Sequence, residues 1–400
     1  MGLVKNLSFA LVGAGFAVVA SATQAFSVTL SYERSIGEPG FGPGQLFVPQ
    51  GIAVDSQGNT LIANGRGINP EDRTSNYDIG HKIEIFNPSG QYIGAIGSGG
   101  TGPGQFDEPT TVDFNPVTGD LYAGDVRNNR INQYDSQGNF IRDFANGEFT
   151  PLVNDRLFFG PSGVTFDKTG NFYVGDFNGE RILKYTSDGQ PLGVIGGTRG
   201  TAPGEFQGVA GIRISPVSGN IFVADQYNNR VQVLDPNGNP LLAFGSAGSG
   251  PGQLLQPIGI EVDEEENVYV ADSINSRVQV FDKNGKFLTS FGETARDASG
   301  NPVPPPALTG PPFGNPLDLT PGRFNWTGGT TLKDGKLYVG DFFQGRVQVL
   351  KVEKGAKVPE PSTALALGLL GIGATVVKLK KDKRQRTIIS LEKQLQKTTV

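Results

Sequence analysis

The chain has 400 residues with a net charge of −5, and its 58 glycines and 27 prolines disfavour a helical bundle because both destabilise helix interiors. It has no cysteine and one histidine, His81, which excludes disulfides, thiolate nucleophiles and metal sites that need two histidines. Residues 26–353 carry 23 basic and 36 acidic side chains, a balance that argues against nucleic acid as a partner.

Residues 1–25 are predicted to be a secretory signal peptide. Lys5 precedes an uncharged apolar stretch over Leu7–Ala20, and small residues at Thr23 and Ala25 suit cleavage after Ala25. Because fourteen apolar residues are fewer than the roughly 20 that span a bilayer, export is the prediction and an uncleaved anchor is the alternative.

Residues 26–353 contain six copies of one repeat. In five copies an Asp lies five residues before an Arg, at Asp125/Arg130, Asp176/Arg181, Asp225/Arg230, Asp272/Arg277 and Asp341/Arg346. These Asp residues are 51, 49, 47 and 69 residues apart, and the first copy has Asn64 in the Asp position. A fixed period of this size indicates one structural unit stacked on its neighbours.

Each unit opens with a Pro-Gly-Gln-Phe type motif and continues with four short apolar or alternating strands separated by turns. Four strands in about 40–50 residues are typical of one blade of a β-propeller. The sixth unit lacks a fourth strand, which residues 28–37 can supply from the other end of the chain. We therefore predict an all-β, six-bladed propeller whose ring is closed by an N-terminal strand, leaving no open edge.

These motifs resemble the NHL repeat family over nearly all of residues 27–352. The resemblance implies a fold more than a function, since function depends on sites placed on a fold. NHL-type amidating lyases hold zinc with histidines, which one histidine cannot do. RNA-binding NHL proteins use a basic face, and their ubiquitin-ligase relatives need cysteine-rich modules. Gluconolactonase-like propellers hold a divalent metal in the channel, so a metal-dependent hydrolase or lactonase is the alternative function.

The five Asp–Arg pairs are interpreted as structural, because every blade repeats them and an Asp after a strand can accept hydrogen bonds from the next turn. The glycine-rich segment Gly97–Gly102 is interpreted as a linker, since no helix follows it. His81 is interpreted as a surface residue. No catalytic residue and no metal ligand is assigned.

Two insertions interrupt the repeat. Residues 65–80 contain four side chains with oxygen ligands, which leaves calcium as a possible cofactor, with a solvated acidic loop as the other interpretation: Glu71, Asp72, Asn76 and Asp78. Residues 295–319 hold seven prolines and are either a stiff cap or a binding loop.

The C-terminal segment over residues 354–386 combines three parts. Pro359, Glu360 and Pro361 precede an uncharged stretch over Ser362–Val377, predicted to be a membrane helix with marginal length. A basic cluster that would stay on the cytoplasmic side follows, made of Lys378, Lys380, Lys381, Lys383, Arg384 and Arg386. This order resembles the PEP-CTERM sorting signal of exported bacterial proteins and implies processing by an exosortase.

Residues 387–400 extend beyond the usual end of such a signal. Their apolar residues alternate with polar ones, so the tail could form an amphipathic helix and the membrane segment could remain as an anchor. Together the sequence predicts an exported, cell-envelope propeller that acts as a binding scaffold for protein or polysaccharide rather than as an enzyme.

Overall fold

The computed structural model describes residues 27–65, 80–151, 160–303 and 317–355. Residues Val28–Glu353 form one compact unit. The predicted signal peptide, the membrane segment and the sorting motif lie outside the described residues. No helix in the described ranges combines the length and hydropathy that crossing a bilayer requires.

Nearly all regular structure in the described residues is β-strand. Strands β1 (Val28–Ile36), β2 (Glu38–Pro39) and β3 (Gln45–Leu46) precede the first blade. Blade 1 contains β4 (Val48–Val54), β5 (Thr60–Gly65), β6 (Lys82–Phe86) and β7 (Tyr92–Ile96). Blade 2 contains β8 (Pro109–Phe114), β9 (Leu121–Asp125), β10 (Arg130–Tyr134) and β11 (Phe140–Phe144). Blade 3 contains β12 (Pro161–Phe166), β13 (Phe172–Asp176), β14 (Arg181–Tyr185) and β15 (Pro191–Gly196).

The second half of the ring repeats this arrangement. Blade 4 contains β16 (Val209–Ile214), β17 (Ile221–Asp225), β18 (Arg230–Leu234) and β19 (Pro240–Phe244). Blade 5 contains β20 (Pro257–Val262), β21 (Val268–Asp272), β22 (Arg277–Phe281) and β23 (Phe287–Phe291). After β24 (Glu293–Thr294) and β25 (Arg323–Phe324), blade 6 contains β26 (Thr327–Lys333), β27 (Lys336–Asp341) and β28 (Arg346–Lys354). Two 3-10 turns span Gln226–Asn228 and Phe342–Gln344.

Each blade is a four-stranded antiparallel sheet whose first strand lines a central channel. Each of these six inner strands shifts register once near its start, which is the mark of a β-bulge. We call the side where the inner strands begin the loop face, because the connections between blades lie there. The opposite side, where each inner strand turns into its neighbour, is the hairpin face.

Strand β1 is the outer strand of blade 6, where it pairs with β28. Its terminal residues Val28 and Ile36 are buried, and Leu30 and Tyr32 pack against the core shared by blades 5 and 6. Glu33 also accepts a hydrogen bond from Lys336 Nζ at 2.8 Å. The predicted six-bladed all-β fold, closed by an N-terminal strand, is therefore confirmed.

The Pro-Gly-Gln-Phe motif fills the space between blades. Its last residue has no solvent-exposed surface in any of the five copies: Leu46, Phe106, Phe206, Leu254 and Phe324. The residue before it caps the preceding turn, as where Gln105 Oε1 accepts a hydrogen bond from the Gly102 N–H at 2.9 Å. Each of the five copies of the motif thus buries one large side chain where the connection between two blades ends.

Glycines in the inner strands let neighbouring blades approach at the narrowest part of the channel. A Cβ atom on Gly329 would collide with the backbone carbonyl of Gln50, whereas a Cβ on the adjacent Gly328 would make only ordinary contacts. We therefore expect Gly329→Ala to destabilise the fold by about 1–3 kcal/mol, with Gly328→Ala as the matched control. Chemical denaturation of the two variants tests this, and equal losses would contradict it.

Candidate functional site: the central channel

The five predicted Asp–Arg pairs all form ion pairs on the loop face. The Nε–Oδ2 distances are 3.2, 2.8, 2.7, 2.8 and 2.9 Å in blades 2 to 6, and every one of the five Asp side chains is fully buried. In blade 4, Asp225 Oδ1 also accepts a hydrogen bond from the Gln207 N–H, and Arg230 Nη2 donates to the Glu205 carbonyl. These contacts connect the blade to the loop that precedes its first strand. The contribution of the pairs to stability remains a prediction.

Blade 1 also has one carboxylate beside one cation, but its carboxylate lies on a different strand. Asn64 replaces the Asp and Lys82 replaces the Arg, while Glu84 lies where blades 4, 5 and 6 have a buried glutamine. Lys82 Nζ lies 3.4 Å from Glu84 Oε1, and burial raises the pKa of this carboxyl. The blade has therefore moved its carboxylate from the second strand to the third, which keeps one buried anion beside one cation.

His81 is buried, with 1% of its surface exposed, so its interpretation as a surface residue is wrong. Its Nδ1 accepts a hydrogen bond from the Glu108 N–H at 3.2 Å and lies 3.7 Å from Asp107 Oδ1. His81 immediately precedes β6, and its backbone φ is 52°. This left-handed conformation directs the imidazole toward the loop that begins blade 2. No periodicity in the surrounding residues indicates this packing.

The two insertions are described only at their ends. Residues 66–79, which include the four oxygen-bearing side chains considered for calcium, lie outside the described residues. Asp318 fixes one end of the second insertion, because its Oδ2 accepts hydrogen bonds from the Arg296 N–H and from Arg323 Nη1. Burial opposes ionisation of Asp318, but hydrogen bonds from Thr320, the Arg296 N–H and Arg323 outweigh it and lower the pKa to about 2. Within the described ranges, no three His, Cys, Asp or Glu residues lie close enough to hold a metal ion.

The channel encloses a cavity of about 100 Å³ lined by all six inner strands. Toward the hairpin face, one residue of each inner strand pairs with the residue three positions before the Asp of its blade, or before Asn64 in blade 1. These equivalent residues are Ala53, Asp113, Thr165, Arg213, Glu261 and Thr331. Three of the six are charged, and they differ from blade to blade. The repeat therefore does not require them.

Arg213 joins the other two charged residues across the channel. Its Nη1 donates to Asp113 Oδ2 at 2.7 Å, and its Nη2 donates to Glu261 Oε1. These contacts connect blades 2, 4 and 5, with Lys333 of blade 6 adding a further positive charge near Asp113. Burial raises the pKa of Asp113 and raises that of Glu261 to about 7, even though Arg213 opposes both shifts.

The ionisation of Glu261 makes a testable contribution to stability. Because its pKa in the folded protein exceeds the ordinary 4.5, the folded state holds this proton more tightly, so stability declines as pH rises from about 4.5 to about 7. We expect Glu261→Gln to gain stability relative to wild type across this interval, by on the order of 2–3 kcal/mol. Denaturation at pH 4.5, 6 and 8 checks this, and a difference independent of pH would contradict it.

Toward the loop face, two polar residues break the repeat in a different way. Gln226 is fully buried, follows the Asp of blade 4, and has no hydrogen-bond partner for either side-chain amide atom in the described chain. Thr330 lies where the other five inner strands have Ile or Val, and its buried Oγ1 also lacks a partner among the described residues. Both residues line the cavity beside Phe177, Ile258 and Phe342.

The channel residues cannot be identified from recurring positions of the repeat, because each of them occurs in a single blade. A signal was present nonetheless. Aligning the six inner strands places Arg213 opposite alanine or threonine in other blades and places Thr330 in a column of Ile and Val. A polar or charged residue that differs from its counterparts in the other blades marks a local feature that the fold itself does not require.

A family model described as a 6-bladed β-propeller matches residues 76–201 and 205–290, more than half of the chain. The chain therefore belongs to this six-bladed β-propeller family, as its fold indicates.

Relatives with NHL repeats match shorter parts. NHL repeat-containing protein 3 of Homo sapiens is 34% identical over 189 residues, which cover 46% of this chain and 51% of that protein. Peptidyl-glycine alpha-amidating monooxygenase B of Xenopus laevis is 34% identical over 115 residues, which cover 26% of this chain and 13% of that protein. The chain thus spans about half or less of these curated relatives.

A solved structure shares the fold. A structural genomics protein of unknown function from Bacteroides thetaiotaomicron superposes with a TM-score of 0.57 at 13% identity, covering 82% of this chain and 77% of the other. At this identity the likeness extends to the propeller architecture alone.

Proposed function

We propose that the chain is an exported binding scaffold of the cell envelope, with protein or polysaccharide as its ligand. The observation that carries this proposal is the state of the charged groups in the channel. Arg213 donates a hydrogen bond to each of the two channel carboxylates, so both are already engaged in ion pairs within the protein. By contrast, the hydrogen-bonding groups of Gln226 and Thr330 are buried in the cavity wall without partners in the described chain, as a binding pocket requires.

The same electrostatics disfavour the alternative, a metal-dependent hydrolase or lactonase. A divalent cation between Asp113 and Glu261 would displace or face the guanidinium of Arg213, which already bridges the two carboxylates. Calcium in proteins favours several carboxylate ligands, and among the described residues no three Asp, Glu, His or Cys side chains lie close enough to share a metal ion.

A paired assay on the purified full chain tests the proposal. We expect saturable binding to at least one envelope polysaccharide or protein in a glycan and peptide screen, and no turnover of lactones with or without calcium. Calcium-dependent lactone hydrolysis that Asp113→Asn abolishes would instead establish the hydrolase.

The destination of the chain is a proposal supported by its sequence. The signal peptide over residues 1–25 directs export, and the segment over residues 354–386 directs exosortase processing or anchors the chain in the membrane. Pro359, Glu360 and Pro361 would then present an extended peptide to the processing enzyme outside the membrane, because proline cannot continue a helix.

Replacing Pro359–Pro361 with three alanines is expected to leave a membrane-bound precursor, larger than the processed wild type by roughly the 39 residues that follow Pro361. Immunoblots of membrane and secreted fractions from cells that make an exosortase measure this. Alanine substitution of Gly355 and Lys357 serves as the control in the linker. If the two variants and the wild type match in size and location, the segment is a plain anchor.

A further inference from the structure

The cavity wall near the loop face combines one buried amide, one buried hydroxyl and several apolar side chains. We call this set the Gln226 pocket, and it consists of Phe177, Ala210, Gln226, Ile258, Thr330 and Phe342. Thr110 and Ser162 lie nearby, but their hydroxyls already donate to the carbonyls of Pro161 and Val209. Within the Gln226 pocket, the polar groups that are buried without a hydrogen-bond partner in the described chain are the Gln226 amide and the Thr330 hydroxyl.

The fold does not require either group. At the position of Gln226 the other blades have Gly65, Val126, Phe177, Ser273 and Phe342. A buried amide without partners costs about 1–3 kcal/mol for each unmade hydrogen bond, so an apolar residue would be more stable here. A chain that keeps two such groups on one cavity gains stability only when something bonds to them.

The size and charge of the cavity limit what this can be. The cavity volume of about 100 Å³ is enough for several water molecules or for one small group of a larger ligand. The far end of the channel carries Asp113, Arg213 and Glu261, which together have no excess positive charge to attract an anion. The pocket therefore suits a small uncharged group that offers one donor, one acceptor and an apolar part.

We propose that the Gln226 pocket binds an acetamido group, of the kind that N-acetylated sugars carry. Its carbonyl oxygen would accept a hydrogen bond from Gln226 Nε2. Its N–H, which points away from the carbonyl because the amide is trans, would donate to Thr330 Oγ1. Its methyl group would contact the apolar wall formed by Phe177, Ala210 and Ile258. This inference rests on the proposed function and narrows its ligand to an N-acetylated polysaccharide.

An asparagine or glutamine side chain of a protein ligand fits the same wall less well. Its primary amide ends in two N–H donors rather than a methyl group, and one of these donors would face apolar surface without a partner. Ile258 and Phe342, which border the pocket, have half-buried side chains, and a ligand would enter past them.

Calorimetric titration of the full chain with N-acetylglucosamine, glucosamine and glucose tests the proposal. We expect N-acetylglucosamine to bind at least about tenfold more tightly than the other two sugars, since each lost hydrogen bond in such a pocket costs about that factor. Gln226→Met should weaken this binding at least about tenfold without lowering the melting temperature, and Thr330→Val should weaken it less. Gln137→Ala, on an exposed turn of the hairpin face, is the matched control and should change nothing.

Several results would overturn the inference: equal binding of the three sugars, no binding of N-acetylglucosamine, or full binding by Gln226→Met. Competition by a glutamine-containing peptide in place of the sugar would assign the pocket to a protein ligand. Binding of a polysaccharide without acetamido groups, unchanged in Gln226→Met, would refute the pocket and leave the scaffold function standing. Lactone turnover would refute the scaffold function itself.

Discussion

Deleting residues 26–37 is expected to remove cooperative folding of the propeller, or to lower its melting temperature severely. The deletion takes away strand β1, whose Val28 and Ile36 are buried and whose Leu30 and Tyr32 pack between blades 5 and 6. Burial of such side chains contributes about 1.5–3 kcal/mol each, so the loss approaches the whole stability of a typical domain, about 5–15 kcal/mol. It also leaves β28 as an open edge with unpaired backbone groups.

Calorimetry and size-exclusion chromatography measure the result. Thr29→Ala, at an exposed position of the same strand, is the control and should leave both unchanged. A synthetic peptide with the sequence of residues 27–37 should restore part of the lost stability by pairing with β28. A truncated chain that melts like the wild type would show that another segment closes the ring.

Arg346→Ala is expected to destabilise the fold by about 3–5 kcal/mol, because it leaves a buried carboxylate without its cation. Arg346 is 3% exposed and lies 2.9 Å from Asp341 Oδ2. It donates four further hydrogen bonds, to the carbonyls of Asp318, Leu319, Thr320 and Arg323. Burial already raises the pKa of Asp341 to about 6 while the cation is present. Its removal would raise that pKa further.

Arg181→Ala is the matched control, since it removes the equivalent residue of blade 3. The Arg181 side chain is 33% exposed and its ion pair is partly screened by water, so a loss of about 1 kcal/mol is expected. Denaturation in urea at pH 7 compares the two variants. Equal losses would contradict the dependence on burial that we infer from the structure.

The elements that recur could be predicted from the sequence. The fixed spacing of Asp225 and Arg230, repeated in four other blades, defines a turn between two paired strands, and six such units define the ring. The closing strand was predictable because blade 6 ends without its fourth strand. These inferences depend on local spacing and on counting, for which one sequence is sufficient.

The elements that occur once could not be predicted in the same way. Arg213 and Asp113 are 100 residues apart, and only closure of the ring brings them together across the channel. His81 packs against the next blade through a left-handed backbone turn that no pattern of hydrophobic residues indicates. Whether Gln226 is buried without partners depends on neighbours from several blades, and this information is absent from its own segment.

The most direct test of the account is to measure ligand affinity and melting temperature together on the Arg230→Ala chain. We infer that the repeated Asp–Arg pairs stabilise the fold and that ligand binds to the channel residues that differ from blade to blade. Arg230→Ala should therefore melt at a lower temperature than wild type, yet bind a ligand of the wild-type chain with unchanged affinity where the variant is still folded. A variant that keeps the wild-type melting temperature and loses binding would place the site on a repeated pair and contradict the account.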